Sequence, residues 1–255
     1  MSKIIKTEAI VLRKINYSES SLIVSLFTKS NGKISAILKG GRRPNSKLSS
    51  VVDLLNHIQV IIYKKESRDI QVISSADLYS YFPNIKSDFT KTTYAYAVCE
   101  LVNDVYMEGE VNELMFNGLV RILNLMNNQE ENSAILFIKF FIFFLKEIGY
   151  ELNLELCKIC SKELSIELKP VPFGNEGFIC LSCQSEHKIQ KINESELFNF
   201  LSCLKNRKKL NYVNDKLIES AIKFLLNYLR NHLENFKGLQ SLEINHNYSG
   251  GIKNV

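Results

Sequence analysis

The apolar positions of the first eighty residues fall in short runs separated by polar turns. Residues 7–14 (TEAIVLRK) are rich in β-branched and apolar side chains. Residues 22–27 (LIVSLF) follow the polar turn Asn16-Tyr17-Ser18-Glu19-Ser20. Ser30-Asn31-Gly32 separates that run from residues 33–38 (KISAIL). Asn-Gly between two apolar runs is a strong hairpin signal, because both residues tolerate positive φ. Residues 57–63 (HIQVIIY) and 69–74 (DIQVIS) alternate in part across the charged turn Lys64-Lys65-Glu66-Ser67-Arg68. Five short strands in about eighty residues fit a small barrel. The five-stranded OB fold is the common form at that size, and an SH3-like barrel is its main competitor.

From about Phe89 the apolar period becomes helical. Tyr94, Val98, Leu101, Val102 and Val105 share one face, with Gly109 as a stop; Met115, Leu119, Ile122, Leu123 and Met126 form a second stripe. After the connector 127–132, Ser133 is placed to cap a strongly apolar helix reaching Ile148, with Gly149 ending it. Its apolar run 134–145 includes Lys139 and falls short of the about 20 apolar residues of a membrane span, so it reads as a buried helix. Leu197, Phe198, Leu201 and Leu204 mark another helix, and Leu217, Ala221, Phe224, Leu225, Tyr228 and Leu229 a longer one ending near Gly238. The predicted fold class is α+β: an N-terminal five-stranded OB-fold barrel followed by an α-helical domain with an inserted four-cysteine module. The domain boundaries read as 1–80 for the barrel, 81–150 and 191–245 for the two parts of the helical domain, 151–190 for the module and 246–255 for a frayed tail.

Charge sharpens this division. The formal net charge is +5 over 255 residues. Residues 1–80 hold 13 Lys/Arg against 6 Asp/Glu, or +7, which leaves −2 for the remainder. Between Ser20 and Val52 stand Lys29, Lys33, Lys39, Arg42, Arg43 and Lys47 with no acid among them. Four of these fall within residues 39–47, where Gly40, Gly41 and Pro44 imply a loop. Such a projection can follow a phosphate backbone while a barrel face takes single strands. The plainer reading is a solvated loop, but the missing acids and the barrel context favour nucleic acid. Arg13 and Lys14 extend the patch. Tyr17 and Phe27 are candidate stacking partners, although Phe27 on an apolar strand also reads as core. Lys205, Arg207, Lys208 and Lys209 form a second basic run between two helices, read as a supporting phosphate contact or a solvated linker.

The chemistry-bearing motif is Cys157-Lys158-Ile159-Cys160 answered by Cys180-Leu181-Ser182-Cys183. Two Cys-x-x-Cys pairs about twenty residues apart match the spacing of a four-thiolate zinc site. Pro170, Pro172, Gly174, Asn175 and Gly177 favour a small ribbon between them. Four thiolates leave no open coordination position, so a zinc ion here would be structural. The alternatives are two local disulfides, a redox pair, or a site that has lost its metal. The N-terminus MSKIIKTEAIVL lacks the features of a signal peptide, which argues against disulfides and for a soluble, cytoplasmic protein. His187 stands near enough to replace one thiolate. Cys99 and Cys203 lie on apolar helix faces and read as core. His57, His232 and His246 show no partner pattern. No P-loop, G-x-S-x-G or His-Glu-x-x-His motif occurs, which favours a binding protein over an enzyme.

The order Thr7-Glu8-Ala9-Ile10-Val11-Leu12, then Ser18-Glu19-Ser20-Ser21-Leu22-Ile23-Val24, then residues 32–43 (GKISAILKGGRR), and finally the two cysteine pairs, resembles the bacterial RecO family of DNA repair and recombination mediators. The resemblance covers nearly the whole chain and is most specific at residues 7–43 and 157–183. It implies an OB-fold domain, a helical domain with the zinc module, and a non-enzymatic role in the RecF pathway. By that resemblance the chain would bind single- and double-stranded DNA, anneal complementary strands, engage SSB, and with RecR help RecA load on SSB-coated gaps, acting alongside RecF at the nucleoid. SSB's acidic, apolar tail would dock on an apolar helical groove rimmed by Lys or Arg. The DNA-binding surface would fall on Lys39, Arg42, Arg43 and Lys47, with Arg13 and Lys14 nearby, and the zinc ligands would be Cys157, Cys160, Cys180 and Cys183. Some members lack these cysteines. Where members often show a Lys-Ser pair near the C-terminus, this chain has Gln240-Ser241. The rival readings are a zinc-containing OB-fold transcription or RNA-binding factor and a plain assembly scaffold.

Overall fold

The computed structural model describes residues 3–186, 195–208 and 213–243, in two compact units. The first comprises residues 1–137 together with 239 onward, and the second residues 138–238. His187, Lys209, His246 and the 246–255 tail lie outside the described residues.

The first unit is built on a closed barrel of β1 (Lys3–Tyr17), β2 (Ser21–Thr28), β3 (Gly32–Leu38), β4 (His57–Lys64) and β5 (Gln71–Ser80). The strand order β1-β2-β3-β5-β4 closes on β1, with β3 and β5 parallel at Ala36↔Gln71 and Ile37↔Val72 and every other pair antiparallel. That order is the OB arrangement and removes the SH3-like alternative. Val24, Leu26, Ala36, Val60 and Ile62 fill the interior, alternating with outward residues as a half-buried sheet requires.

β1 is longer than the predicted 7–14 because it serves two partners. Its first half pairs with β4 from Lys3↔Lys64 to Ile10↔His57, and its second half pairs with β2 as far as Tyr17↔Ser21. The two ladders overlap at Ala9 and Ile10, and a bulge between Val11 and Arg13 interrupts the β2 ladder just beyond. The extra residue resets the side-chain alternation. Ile5, Ala9 and Val11 therefore face the core, whereas Ile15 and Tyr17 beyond the bulge are exposed. Asn16 and Tyr17 belong to the strand, so the turn is narrower than the sequence implied. β5 starts later than expected and runs on to Ser80, carried by the ladder with β4 through polar residues that show no alternation.

A short helix, α1 (Lys47–Val51), follows the basic segment where the sequence implied only loop. The buried Asn56 donates to the carbonyls of Ser50 and Val51 at 3.2 and 2.9 Å, satisfying the end of α1. The helices α2 (Pro83–Lys86), α3 (Phe89–Val105) and α4 (Glu113–Asn128) complete this unit. Asp88 caps α3 through the Lys91 N–H, and Asn112 caps α4 through the Met115 N–H. α3 stops at Val105, earlier than Gly109, because the chain turns back to the β2–β3 hairpin. The Gly109 N–H donates to Lys33 O at 2.8 Å, and the Ser35 N–H and hydroxyl both donate to the Glu108 carboxylate. Gly32 has φ +66°, and a Cβ there would run into the Glu110 backbone. Phe27 is fully buried, edge-on to Tyr106 at 5.0 Å. The Gln240 and Ser241 N–H groups donate to the Glu100 carboxylate at 2.7 and 3.0 Å, which holds residues 240–243 in this unit.

α5 (Ser133–Glu147) crosses from one unit's residues into the other's. Its cap is Asn132, whose side chain accepts from the Ala134 N–H at 2.8 Å, and Ser133 is already helical. Gly149, at φ +85°, ends the helix: its N–H reaches Lys146 O, and the Tyr150 N–H reaches Leu145 O.

The second unit holds a ribbon of β6 (Val171–Pro172) and β7 (Phe178–Ile179), then α6 (Leu181–Glu186), α7 (Ser195–Lys205) and α8 (Asp215–His232). Phe178 is buried between Phe198 of α7 and Phe224 of α8, at 5.3 and 5.1 Å. α8 ends at His232, short of Gly238, because Arg230 folds under the following turn and donates to Lys237 O at 3.1 Å.

Candidate nucleic-acid interface and metal centre

The six cations of the acid-free stretch divide into two groups. Lys33 Nζ donates to Asn103 O at 2.6 Å, and Lys29 lies 3.6 and 3.7 Å from Glu8 and Glu113. Both are turned toward the helices of their unit. Lys39, Arg42, Arg43 and Lys47 are exposed, and none has a carboxylate within 4 Å among the described residues. Their segment is less free than a glycine-rich loop implies. The Arg42 N–H donates to Ser20 O at 2.9 Å, and its guanidinium donates to Ser18 O at 2.6 Å. Gly41 sits against Leu22 and Leu38, where a Cβ would be at or inside the contact limit of 3.0 Å. The segment is thus tied to the turn that follows Tyr17, with further donor positions of Arg42 left over.

That turn links β1 and β2, whose outer faces carry Arg13, Ile15 and Tyr17 beside Ile23 and Ser25. Arg13 is exposed, and Ile15 and Tyr17 are 44% and 50% exposed, large values for apolar strand residues. Tyr17 is therefore available as a stacking surface, whereas the burial of Phe27 removes it. Lys14 lies apart from this group. It pairs with Asp53 at 2.9 Å, and Lys86 approaches the other oxygen of Asp53 at 3.2 Å. Burial acts to raise the Asp53 pKa, but the hydrogen bond and charge of Lys14, with Lys86 behind them, win and hold it below its ordinary value. Lys86 also sits 6.0 Å over the ring of Tyr81, which is half exposed. Neither residue was singled out from the sequence, because their relation to Lys14 exists only through Asp53.

The second basic run loses Lys205, while Arg207 and Lys208 stay exposed. Lys205 pairs with Glu151 at 3.0 Å and donates to Leu152 O at 3.1 Å, so it fastens α7 to the segment after α5. Cys99 is buried, and burial pushes its thiol up to about 12, as befits inert core. Cys203 is only half-buried. His57 has a partner the sequence did not reveal: its Nε2 lies 3.2 Å from Glu8, although burial outweighs Glu8 and keeps its pKa below the ordinary value.

The four motif cysteines converge. Cys157, Cys160, Cys180 and Cys183 place their Sγ atoms within 4.8 Å of one another. All four are free thiols, which removes the two-disulfide reading. The first pair lies in a tight turn closed by the bridge Leu156↔Glu163 and by the Ser161 N–H donating to Cys157 O. In the second pair, Cys180 follows β7 and Cys183 stands in the first turn of α6. Cys160 and Cys180 Sγ are 3.7 Å apart. A tetrahedral thiolate site with bonds of about 2.3 Å has edges of about 3.8 Å, so the Cys160–Cys180 edge matches such a site and the rest of the cage lies near it. Burial acts against the Cys157 thiolate, but the backbone N–H groups of Cys160, Cys180 and Ile159 outweigh it and bring that thiol down to about 6. These donors are what a negatively charged sulfur cage needs. The four cysteines are thus arranged to hold one metal ion.

A closed OB barrel joined to helices that carry a four-cysteine cage defines an OB-fold protein with a helical C-terminal part and a site that could hold a metal ion. Residues 1–82 match the family model described as recombination protein O N terminal, and residues 86–243 match recombination protein O C terminal. The chain belongs to the recombination protein O family. It is 37% identical over 177 residues to a DNA repair protein RecO of Chlorobium limicola, covering 69% of this chain and 67% of that one. A DNA repair protein RecO of Alkaliphilus metalliredigens is 32% identical over 246 residues, 93% of this chain and 98% of the other. That of Chloroherpeton thalassium is 28% identical over 250 residues, 94% and 96% of the two chains. Among the described residues no helix is long and apolar enough to cross a membrane.

Proposed function

We propose that this chain is a DNA-binding mediator of DNA repair and recombination that works by holding strands and not by catalysis. The observation that carries the reading is the sorting of charge on the barrel. Lys29 and Lys33 are consumed internally, while Lys39, Arg42, Arg43 and Lys47 stand exposed beside Arg13, Ile15 and Tyr17. Phosphates would lie along the cations, and bases would stack on Tyr17, a combination that binds single strands without reading sequence. Lys14 takes the lesser part of supporting the surface through Asp53. The relatives' description as DNA repair proteins supports the same role.

In this reading the barrel neutralises one polyanion so that a complementary strand can approach, which is the physical requirement of annealing. The chain would act on SSB-coated DNA, with RecR and alongside RecF, to help RecA load at the nucleoid. Zinc is the ion we assign to the cysteine cage, on the basis of four thiolates and tetrahedral size. It would hold the module's turns together and take no part in chemistry.

The test is annealing of complementary oligonucleotides coated with SSB, with and without this protein. Acceleration on coated strands is expected. DNA binding without acceleration would overturn the mediator role, and tighter binding to RNA than to DNA would favour an RNA-binding factor.

A further inference from the structure

β1 presents a second surface at its other end. Before the bulge, Ile4 and Lys6 point outward, opposite Tyr63 and Ile61 of β4. Ile4 is 63% exposed and Tyr63 44% exposed, side by side across the strands. At the rim Lys3 lies opposite Lys64, and strand alternation puts both on the Ile5 side of the sheet, away from Ile4 and Tyr63. Lys3, Lys6, Lys64 and Lys65 have no carboxylate within 4 Å among the described residues. Lys3 and Lys64 also line a cavity of about 120 Å³ with Ile5, Asn31 and Glu66, and Glu66 is the one acid there. The outward face at this end of the strand thus repeats the chemistry of the other: an exposed isoleucine, an exposed tyrosine and, in Lys6, a cation with no carboxylate within 4 Å among the described residues.

We propose that this Ile4–Lys6–Tyr63 face is a second single-strand binding site, so that one chain holds two strands at once. The inference rests on the reading of the chain as a strand-annealing protein. Ile4 and Ile15 are separated along β1 by eleven residues at about 3.3 Å each, about 36 Å of strand, enough to keep two phosphate backbones apart. Lys6 would take a phosphate, and Tyr63 a base. Annealing then needs no second protein molecule to bring in the complementary strand.

The stoichiometry of an oligothymidine of about eight nucleotides, within the span one OB fold takes, is read by native mass spectrometry, with annealing of bare complementary strands measured in parallel. The wild-type chain is expected to take two oligonucleotides. Lys6→Glu/Tyr63→Ala is expected to take one, to keep its affinity for that one, and to anneal about fivefold or more slowly, the effect of losing one stacked base. Lys6→Ala alone gives a milder change at an exposed position and guards against a folding defect. A wild-type stoichiometry of one, or an unchanged annealing rate in both variants, overturns the second site and leaves the first face standing. A wild-type chain that takes no oligonucleotide brings down both readings. If the double variant keeps two strands but loses an acidic protein partner, the face is a protein dock and the proposal falls.

Discussion

The barrel and the cysteine module are both small, yet they are held by different physics. The barrel buries a continuous apolar interior and closes its sheet, so no strand edge is left to pair. The module has two strands of two residues, one turn of 3₁₀ helix at Ile166–Leu168, and a cage of four sulfurs. The ribbon is anchored in an apolar core by Phe178, set among aromatic residues of α7 and α8, with Val171 and Ile179 also buried. The difference teaches where each region's information lies. The barrel is specified by many weak contacts and tolerates the loss of one. The module is specified by four atoms and does not.

Chelation should break the comparison most sharply. Structural zinc sites contribute about 10–16 kcal/mol in apparent terms. Stripping the metal, or Cys157→Ser, is expected to abolish amide protection across residues 155–183 while the barrel stays protected, as hydrogen exchange would show. Equal loss in both regions would mean that the barrel depends on the metal too. The reverse experiment is Leu26→Ala, at a fully buried barrel position. It should cost about 2–5 kcal/mol in urea denaturation and leave bound zinc unchanged at one ion per chain.

A smaller effect separates stability from function within the barrel. Arg42→Ala/Arg43→Ala should leave the melting temperature nearly unchanged. It should lower the slope of log binding constant against log salt by about 1.4 for single strands, two phosphates' worth. An unchanged slope would remove these arginines from the interface. The smallest effect concerns acid. The Asp53 pKa is held below its ordinary value in the folded chain, so its contribution is present above the unfolded pKa of about 3.9 and is lost as pH falls through the lower folded value. The group is partly exposed, so the gain is expected to stay under about 1 kcal/mol. Asp53→Asn should flatten that part of the stability profile below about pH 4, whereas the module's metal would already be leaving at milder acidity as protons compete for the thiolates.

Much of this was legible in the chain itself. The x-x spacing within each cysteine pair forces both sulfurs into one turn, so the cage could be foreseen without tertiary knowledge. Local alternation and the Asn-Gly turn similarly announced five strands, and helical stripes announced α3, α4, α5, α7 and α8. Those signals act over a few residues, and the backbone's own periods carry them. The choice of the OB order over a rival barrel was decided only by the parallel meeting of β3 with β5, across more than thirty residues. The free cations were also decided by distant partners. Lys29 and Lys33 look like Lys39 in the sequence, but Glu113 and Asn103 approach them from the helices. Phe27 looks like Tyr17 as a ring near a hairpin, until Tyr106 packs on the one and the other stays half exposed. A sequence fixes the periods and spacings that local geometry reads directly. Which charge stays unpaired and which ring stays exposed depends on what the fold brings alongside, and only the packed chain decides that.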